Sequence, residues 1–367
     1  MKVAIVHDWL TGMRGGEKVL EVFCEIFPDA VLYTLVYNKE KISPIINQMK
    51  IKTSILQKFP NIEKNYRYYL PIMPTLIEHF NLKDFDLILS SSHCVAKGVK
   101  KFKNQIHICF CHTPMRYVWD MFDEYFKKAR LITKIGAKIF RPYLKRWDKK
   151  SSQNVDFFIA NSKNIARKIK KYYGKEAKVI HSPVDTNFYQ FLNLKREDFF
   201  LIVSALVPYK KLDLAIEAFN ELNLPLKIIG TGPEEKKLKK FAKNNIEFLG
   251  WQPDEKLLEY YNKCKALIFP QEEDFGIVPL EAQACGTPVI AYKKGGALET
   301  IIEKETGIFF YPQTKEALIK AVKNFDNFSF SPQKCRENAL KFSRERFYQE
   351  IKNFINQCLS LSSRLGY

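Results

Sequence analysis

A chain of 367 residues, 46% hydrophobic and 14% aromatic, has the length of about two domains and too many core-forming residues to be disordered. Its formal net charge of +19 favours anionic partners (nucleic acid, anionic lipid or phosphorylated ligands) and equally fits a Lys-rich surface with no specific partner. No run of 18 apolar residues occurs, which argues against a spanning helix, and the opening Met1–His7 stretch is too short for a signal-peptide core.

Val3–Val6 reads as a buried strand. Gly12, Gly15 and Gly16 follow it, and Glu17–Ile26 has helical spacing. Strand, glycine-rich turn and helix open a nucleotide-binding type of α/β unit. The apolar runs Ala30–Leu35, Leu87–Leu89 and Ile106–Phe110 suit parallel strands covered on both faces. Residues 116–150 read as long, amphipathic and basic, helical with a break at Pro142. Phe157–Ala160 is a further strand, Asn161-Ser162 caps a helix, Lys178–His181 is a strand, and Pro183-Val184-Asp185 is a turn.

A second series then begins. Strands are expected at Phe199–Ala205, Leu226–Ile229, Ile246–Phe248, Ala266–Phe269, Pro288–Ala291 and Gly307–Phe310, with helical segments between them. The boundary falls near 185–197. The reading is therefore one Rossmann-like domain over 1–185, another over 186–330, and C-terminal helices over 331–367 that pack back across the domains. The eight cysteines are scattered and form no C-x-x-C, so neither a zinc set nor a disulfide framework is expected, and reduced cytosolic thiols are the simplest reading.

The sharpest constellation is Glu273-Asp274-Phe275-Gly276-Ile277-Val278-Pro279-Leu280-Glu281. Two carboxylates stand eight apart around a Phe-Gly turn. Pro279 suits the first position of a helix, which would set Glu281 in its first turn. Backbone N–H groups there can receive phosphate, and carboxylates accept from paired hydroxyls. The structural alternatives are a dipole-complementing Glu281 and a solvated acidic cluster of Glu272, Glu273 and Asp274. At the other end, Gly15-Gly16 after the first strand lets backbone approach a phosphate or sugar, and Arg14 is an anion or acceptor contact or an exposed loop charge. His112 ends a strand, where such folds place ligands; a satisfied core histidine is its alternative.

The Glu273/Glu281 string resembles the E-x7-E motif of retaining glycosyltransferases of the two-domain GT-B fold, family 4. Ala282–Ala291, Gly295-Gly296 with Glu299, Val207-Pro208-Tyr209-Lys210-Lys211, Gly230-Thr231-Gly232-Pro233 and Phe248-Leu249-Gly250-Trp251 extend the likeness. The strings His7–Lys18 and Phe110–Tyr117 resemble the mannosyltransferase branch that builds bacterial surface polysaccharides. The resemblance implies an α/β GT-B enzyme whose two Rossmann-like domains face each other across a cleft. It implies mannose transfer from GDP-mannose to a glycan or lipid-linked glycan, with retention of configuration. In that scheme Glu273 contacts the sugar hydroxyls and Glu281 the ribose. Backbone near Phe275, Gly276 and Ile277 holds sugar and phosphate, and Lys210 with Lys211 neutralises pyrophosphate. Gly15 and Gly16 touch the donor, and His112 faces the sugar. Ala205 stands where many family members carry an Arg for pyrophosphate.

No metal and no cofactor are expected. A UDP-sugar donor is the rival within enzymes. A basic nucleic-acid-binding protein is the rival outside them, and it leaves the paired glutamates unexplained. From Lys127 to Lys150 there are ten Lys or Arg and one acid, Asp148, interleaved with apolar residues. That composition suits a helix on the anionic inner face of a membrane, with Lys138, Arg141, Lys145 and Lys149 flanking an apolar face; an ordinary domain helix with its apolar face inward, in a Lys-rich protein, is the alternative.

Overall fold

The computed structural model describes residues 1–126 and 131–364. The chain divides into two compact units, Met1–Ser182 joined by the residues from Phe347 on, and Pro183–Arg346.

The first unit carries a seven-stranded sheet in the order β3-β2-β1-β4-β5-β6-β7. The strands are β1 (Val3–His7), β2 (Val31–Thr34), β3 (Lys50–Thr53), β4 (Leu87–Ser92), β5 (Ile106–Cys111), β6 (Phe157–Ala160) and β7 (Ala177–Val179), and every pairing is parallel. β1, β4 and most of β5 are buried, which is why they read as unbroken apolar runs. β3 is an edge strand, Lys-Ile-Lys-Thr, alternating exposed and half-buried, and its polar alternation hides it in the sequence.

The second unit carries a six-stranded sheet in the order β10-β9-β8-β11-β12-β13, again all parallel. Its strands are β8 (Phe200–Val203), β9 (Leu226–Ile229), β10 (Ile246–Gly250), β11 (Ala266–Phe269), β12 (Val289–Tyr292) and β13 (Gly307–Phe310). In both sheets the strand order reverses beside the first strand of the unit, between β1 and β4 and between β8 and β11. Such folds bind ligands outside the carboxyl ends of the strands at this switch point.

The segment after residue 330 is shared. Pro332–Leu340 belongs to the second unit, where Asn338 Nδ2 donates to Gln283 Oε1 at 2.7 Å. The helix Arg344–Arg364 continues into the first unit, and Phe347, Ile351, Ile355 and Cys358 enter its core beside Val19, Phe23 and Phe110.

The basic segment departs from its expectation in two ways. The helix Leu131–Ser151 runs through Pro142 without ending. Pro142 is exposed, so the carbonyl one turn back that loses its donor can bond to water. The helix also anchors by its polar side. Asp148, wholly buried, accepts from Lys97 Nζ, from Trp119 Nε1 at 2.7 Å and from Tyr173 Oη at 2.7 Å. Arg141 donates to the Val118 and Trp119 carbonyls at 2.9 and 3.3 Å, and Lys145 lies over the Trp119 ring. Arg141 and Lys145 therefore do not flank an exposed apolar face; the carbonyls and ring of the 118–119 loop draw them inward. The apolar row Ile132, Ile135, Ile139 and Tyr143 is left exposed, Ile132 at 86%. Lys127, Lys128 and Arg130 lie outside the described residues.

Candidate functional site

In the first unit the carboxyl ends of β1, β4 and β5 bring together three histidines, His7, His93 and His112. Asp8, with no exposed surface, follows β1 and accepts the backbone N–H groups of His93, Cys94, Val95 and Ala96 at 2.6–3.0 Å. It also lies 3.0 Å from His93 Nδ1. Burial alone would raise the Asp8 pKa; the adjacent His93 and His7 charges and these hydrogen bonds outweigh it and hold the carboxylate well below its usual range. The same pair leaves His93 raised: burial opposes its charge, and Asp8 more than compensates.

His112 Nε2 lies 2.8 Å from Ser91 Oγ, and Ser91 Oγ lies 3.0 Å from His7 Nδ1. His7 Nε2 lies 3.6 Å from Glu17 Oε1. The second Glu17 oxygen accepts the Arg14 N–H at 3.0 Å, where Arg14 caps the helix Gly15–Ile26. Gly16 sits against both rings: a Cβ there would lie 3.7 Å from His112 Nε2 and from His7 Cε1. The expected residues Gly15, Gly16 and His112 thus meet at one place, with the exposed Arg14 beside them. Burial, then repulsion from His93 and His7, lowers the His112 pKa to about 3, so the ring is neutral near pH 7.

In the second unit Lys210 follows β8 and Glu273 follows β11, on either side of the switch point, and the two side chains form an ion pair. Backbone packing sets both loops. A Cβ at Gly230 would lie 1.9 Å from the Ser204 carbonyl oxygen, and one at Gly232 2.4 Å from that of Leu206, so only glycine allows β9's loop to press on the loop leading to Lys210. Gly295 and Gly296 do the same for the acidic loop. Gly296 N–H donates to the Glu273 carbonyl at 2.8 Å, and a Cβ on Gly296 would lie 2.2 Å from the Phe275 oxygen.

Gly276, at φ +89°, caps the helix Ile277–Ala284. Pro279 is therefore the third residue of that helix and Glu281 the fifth, beyond the first turn. Proline fits the third position because N–H groups of the first turn have no intrahelical partner. Glu281 accepts from Tyr261 Oη at 2.8 Å, and burial with the adjacent Glu281 raises the Tyr261 pKa well above its ordinary value. Lys211 takes the left-handed conformation, φ +55°, and caps the helix Leu212–Leu222. Phe275 is buried, and Gly276 and Ile277 are half-buried at the helix start. Among the described residues no three His, Cys, Asp or Glu side chains are placed so that they could hold a metal ion.

Sequence reasoning alone passes over Asp8, Glu17, His7, Ser91 and Tyr261 as site members. The signal for four of them is present: His7-Asp8 and Ser90–His93 directly follow apolar runs, where carboxyl-edge residues fall, and Glu17 is one turn into the helix after Gly15-Gly16. Tyr261 reads as one more core aromatic on a helix, and nothing in the sequence ties it to Glu281.

Residues 184–342 match the family described as Glycosyl transferases group 1, and residues 38–188 match Glycosyltransferase Family 4. An uncharacterised glycosyltransferase of Methanocaldococcus jannaschii is 31% identical over 213 residues, 56% of this chain and 60% of that protein's own length. O-antigen chain mannosyltransferase C of Escherichia coli is 24% identical over 334 residues, 86% of this chain and 80% of that protein. Among solved structures, Anabaena HepE in complex with UDP superposes with a TM-score of 0.69 at 16% identity, covering 97% of this chain and all of that one, a likeness of fold. Two doubly wound parallel sheets, the E-x7-E loop at the second switch point and the adjoining family matches lead to one statement: this chain belongs to the family 4 glycosyltransferases of the GT-B fold.

Proposed function

We propose that the protein transfers a mannosyl residue from GDP-mannose to a glycan or lipid-linked glycan, with retention of configuration. One observation carries the reading: Lys210 and Glu273 converge at the carboxyl ends of β8 and β11, beside the glycine-capped helix that bears Glu281. A cation, a carboxylate and a helix N-terminus suit a nucleoside diphosphate sugar: Lys210 and Lys211 for pyrophosphate, Glu273 for sugar hydroxyls, Glu281 for ribose. Backbone at Phe275, Gly276 and Ile277 completes the donor contacts. In the first unit, Gly15, Gly16 and His112 serve the sugar, and Arg14 an anion or the acceptor. The E. coli O-antigen mannosyltransferase supports mannose. Departure of the leaving group is stabilised electrostatically by the lysines and the helix N-terminus, without a metal.

The test is a panel of nucleotide sugars read by thermal or chemical denaturation. A donor at 100 times its Kd adds about 2.7 kcal/mol of stability. GDP-mannose should stabilise and be hydrolysed slowly, and transfer should persist in EDTA. Stabilisation by UDP-sugars alone would move the reading to the second donor class, which the UDP complex of HepE favours. No effect from any nucleotide sugar would discard it.

The acceptor reading includes a lipid surface. The exposed row Ile132, Ile135, Ile139 and Tyr143, with exposed Lys138, Arg146, Lys149 and Lys150 on the same helix, suits an anionic membrane. No described helix is long and apolar enough to cross one.

A further inference from the structure

The histidines at the edge of the first sheet form an ordered chain. Glu17 Oε1 lies 3.6 Å from His7 Nε2, His7 Nδ1 lies 3.0 Å from Ser91 Oγ, and Ser91 Oγ lies 2.8 Å from His112 Nε2. His7 has no exposed surface and neither has Ser91, so solvent does not supply alternative partners. A neutral imidazole has one donor and one acceptor nitrogen, and the partner of one nitrogen decides the role of the other. The direction of the chain follows from its buried end. The contact between Glu17 and His7 is one of charge, longer than a hydrogen bond, and an ionised carboxylate offers no proton, so with His7 as the neutral imidazole its proton is favoured on Nε2, toward Glu17. His7 Nδ1 is then an acceptor and takes the Ser91 hydroxyl proton. Ser91 Oγ is left to accept from His112, which must present Nε2–H to it.

We infer that Glu17, His7 and Ser91 are positioning residues that fix His112 in its Nε2–H tautomer, leaving Nδ1 as the acceptor for a donor hydroxyl of the sugar. The inference deepens the sugar-transfer reading and rests on it for the ligand of Nδ1, but not for the tautomer. Glu17 has a second task that makes the arrangement coherent. Its other oxygen accepts the Arg14 N–H at the head of the Gly15–Ile26 helix, so one side chain sets both the glycine turn and the polarity of the histidine chain. Burial alone would raise the Glu17 pKa, yet His7 and then His93 leave it lowered, which keeps the acceptor end charged.

The chain makes a directional prediction. In Glu17→Gln the amide oxygen retains the Arg14 N–H, and the NH2 group faces His7 Nε2. Every hydrogen bond then reverses: His7 Nδ1–H donates to Ser91, Ser91 donates to His112 Nε2, and the His112 proton moves to Nδ1. Two-dimensional NMR on protein labelled with 15N-histidine distinguishes the two nitrogens, and His112→Gln assigns the His112 signals by their loss. The expected wild-type pattern is a protonated Nε2 and an acceptor Nδ1 on His112. Glu17→Gln should invert it, and Ser91→Ala should abolish the preference, with Ser91→Thr restoring it. A wild-type His112 protonated on Nδ1, or a pattern unmoved by Glu17→Gln, overturns the inference. The wild-type spectrum decides on its own should a variant fail to fold. In transfer assays Ser91→Ala should lower kcat by about tenfold or more with the donor KM little changed, and Ser91→Thr should recover it. A wild-type protein with the expected spectrum and no sugar transfer would sink the functional reading and leave the tautomer standing.

Discussion

Glu281 shows how a single carboxylate can be legible while its surroundings are not. Its spacing from Glu273 marks it in the sequence, whereas its hydrogen bond from the buried Tyr261 exists only through folding. Glu281→Ala should weaken GDP or UDP binding by about 1–3 kcal/mol, measured by calorimetry, because ribose hydroxyls lose their acceptor. Unchanged affinity in a folded variant would remove Glu281 from the site. Glu273 and His112 should behave differently, since both are assigned to the sugar. Glu273→Gln and His112→Ala are expected to keep nucleotide affinity and lose turnover, and near wild-type turnover in either variant would clear that residue of its role. Asp8 is a matter of stability. Its folded pKa lies below the unfolded value near 3.9, so its contribution is complete above that pH and is lost as pH falls through the folded pKa. His93 has the opposite sign: its contribution is complete below about pH 6.5 and is lost as pH rises through its raised folded pKa. Asp8→Asn should cost about 3–5 kcal/mol near neutral pH in urea denaturation. The gap from wild type should narrow below about pH 4; a gap independent of pH would show that hydrogen bonding, not charge, accounts for the loss.

At the scale of elements, apolar periodicity recovers the buried strands well, since eleven consecutive residues are not needed when four or five are wholly enclosed, as in β1 and β11. It fails at β3, whose Lys-Ile-Lys-Thr run pairs by backbone at an edge and buries little. It also fails to orient the Leu131–Ser151 helix, because periodicity gives a face and not what the face touches. Buried acceptors decided that orientation: Asp148 and the 118–119 carbonyls captured the cations, and the apolar row turned outward. Anionic liposomes should therefore sediment the protein at low salt and lose it as salt rises. Replacing Lys138, Arg146, Lys149 and Lys150 by Gln should weaken binding, as should Ile132→Ser with Ile139→Ser. No binding at low salt would leave a soluble acceptor as the better reading. The glycine turn at 295–296 makes a sharper test of loop packing. Gly296→Ala drives a methyl into the Phe275 carbonyl, so donor affinity should fall along with about 1–3 kcal/mol of stability. Unchanged donor binding would show that the acidic loop tolerates displacement.

At the scale of the whole molecule, two α/β units were readable from the repeated alternation of strand and helix, and the strand orders bear out the doubly wound class. The sequence reading has the C-terminal helices pack back across the domains, but which core takes the last one was not readable. Its apolar residues are spaced for burial, but sequence does not name the core that receives them. The structure gives Phe347, Ile351, Ile355 and Cys358 to the first unit. Phe347→Ala should cost about 3–5 kcal/mol, with hydrogen exchange rising around Phe23 and Phe110, its ring neighbours, and not in the second unit. A loss spread evenly over both units would contradict that assignment. The routing also bears on birth order at the ribosome. Synthesis runs from the first residue to the last, and domains generally complete in that order. Here the second unit is one uninterrupted stretch, Pro183–Arg346, while the first waits for residues made after it. The half that emerges first is the half that finishes last, and it passes through translation with a gap in its core where Phe347 will sit. Released chains ending at Arg346 should be cut by protease in the first unit and resist in the second.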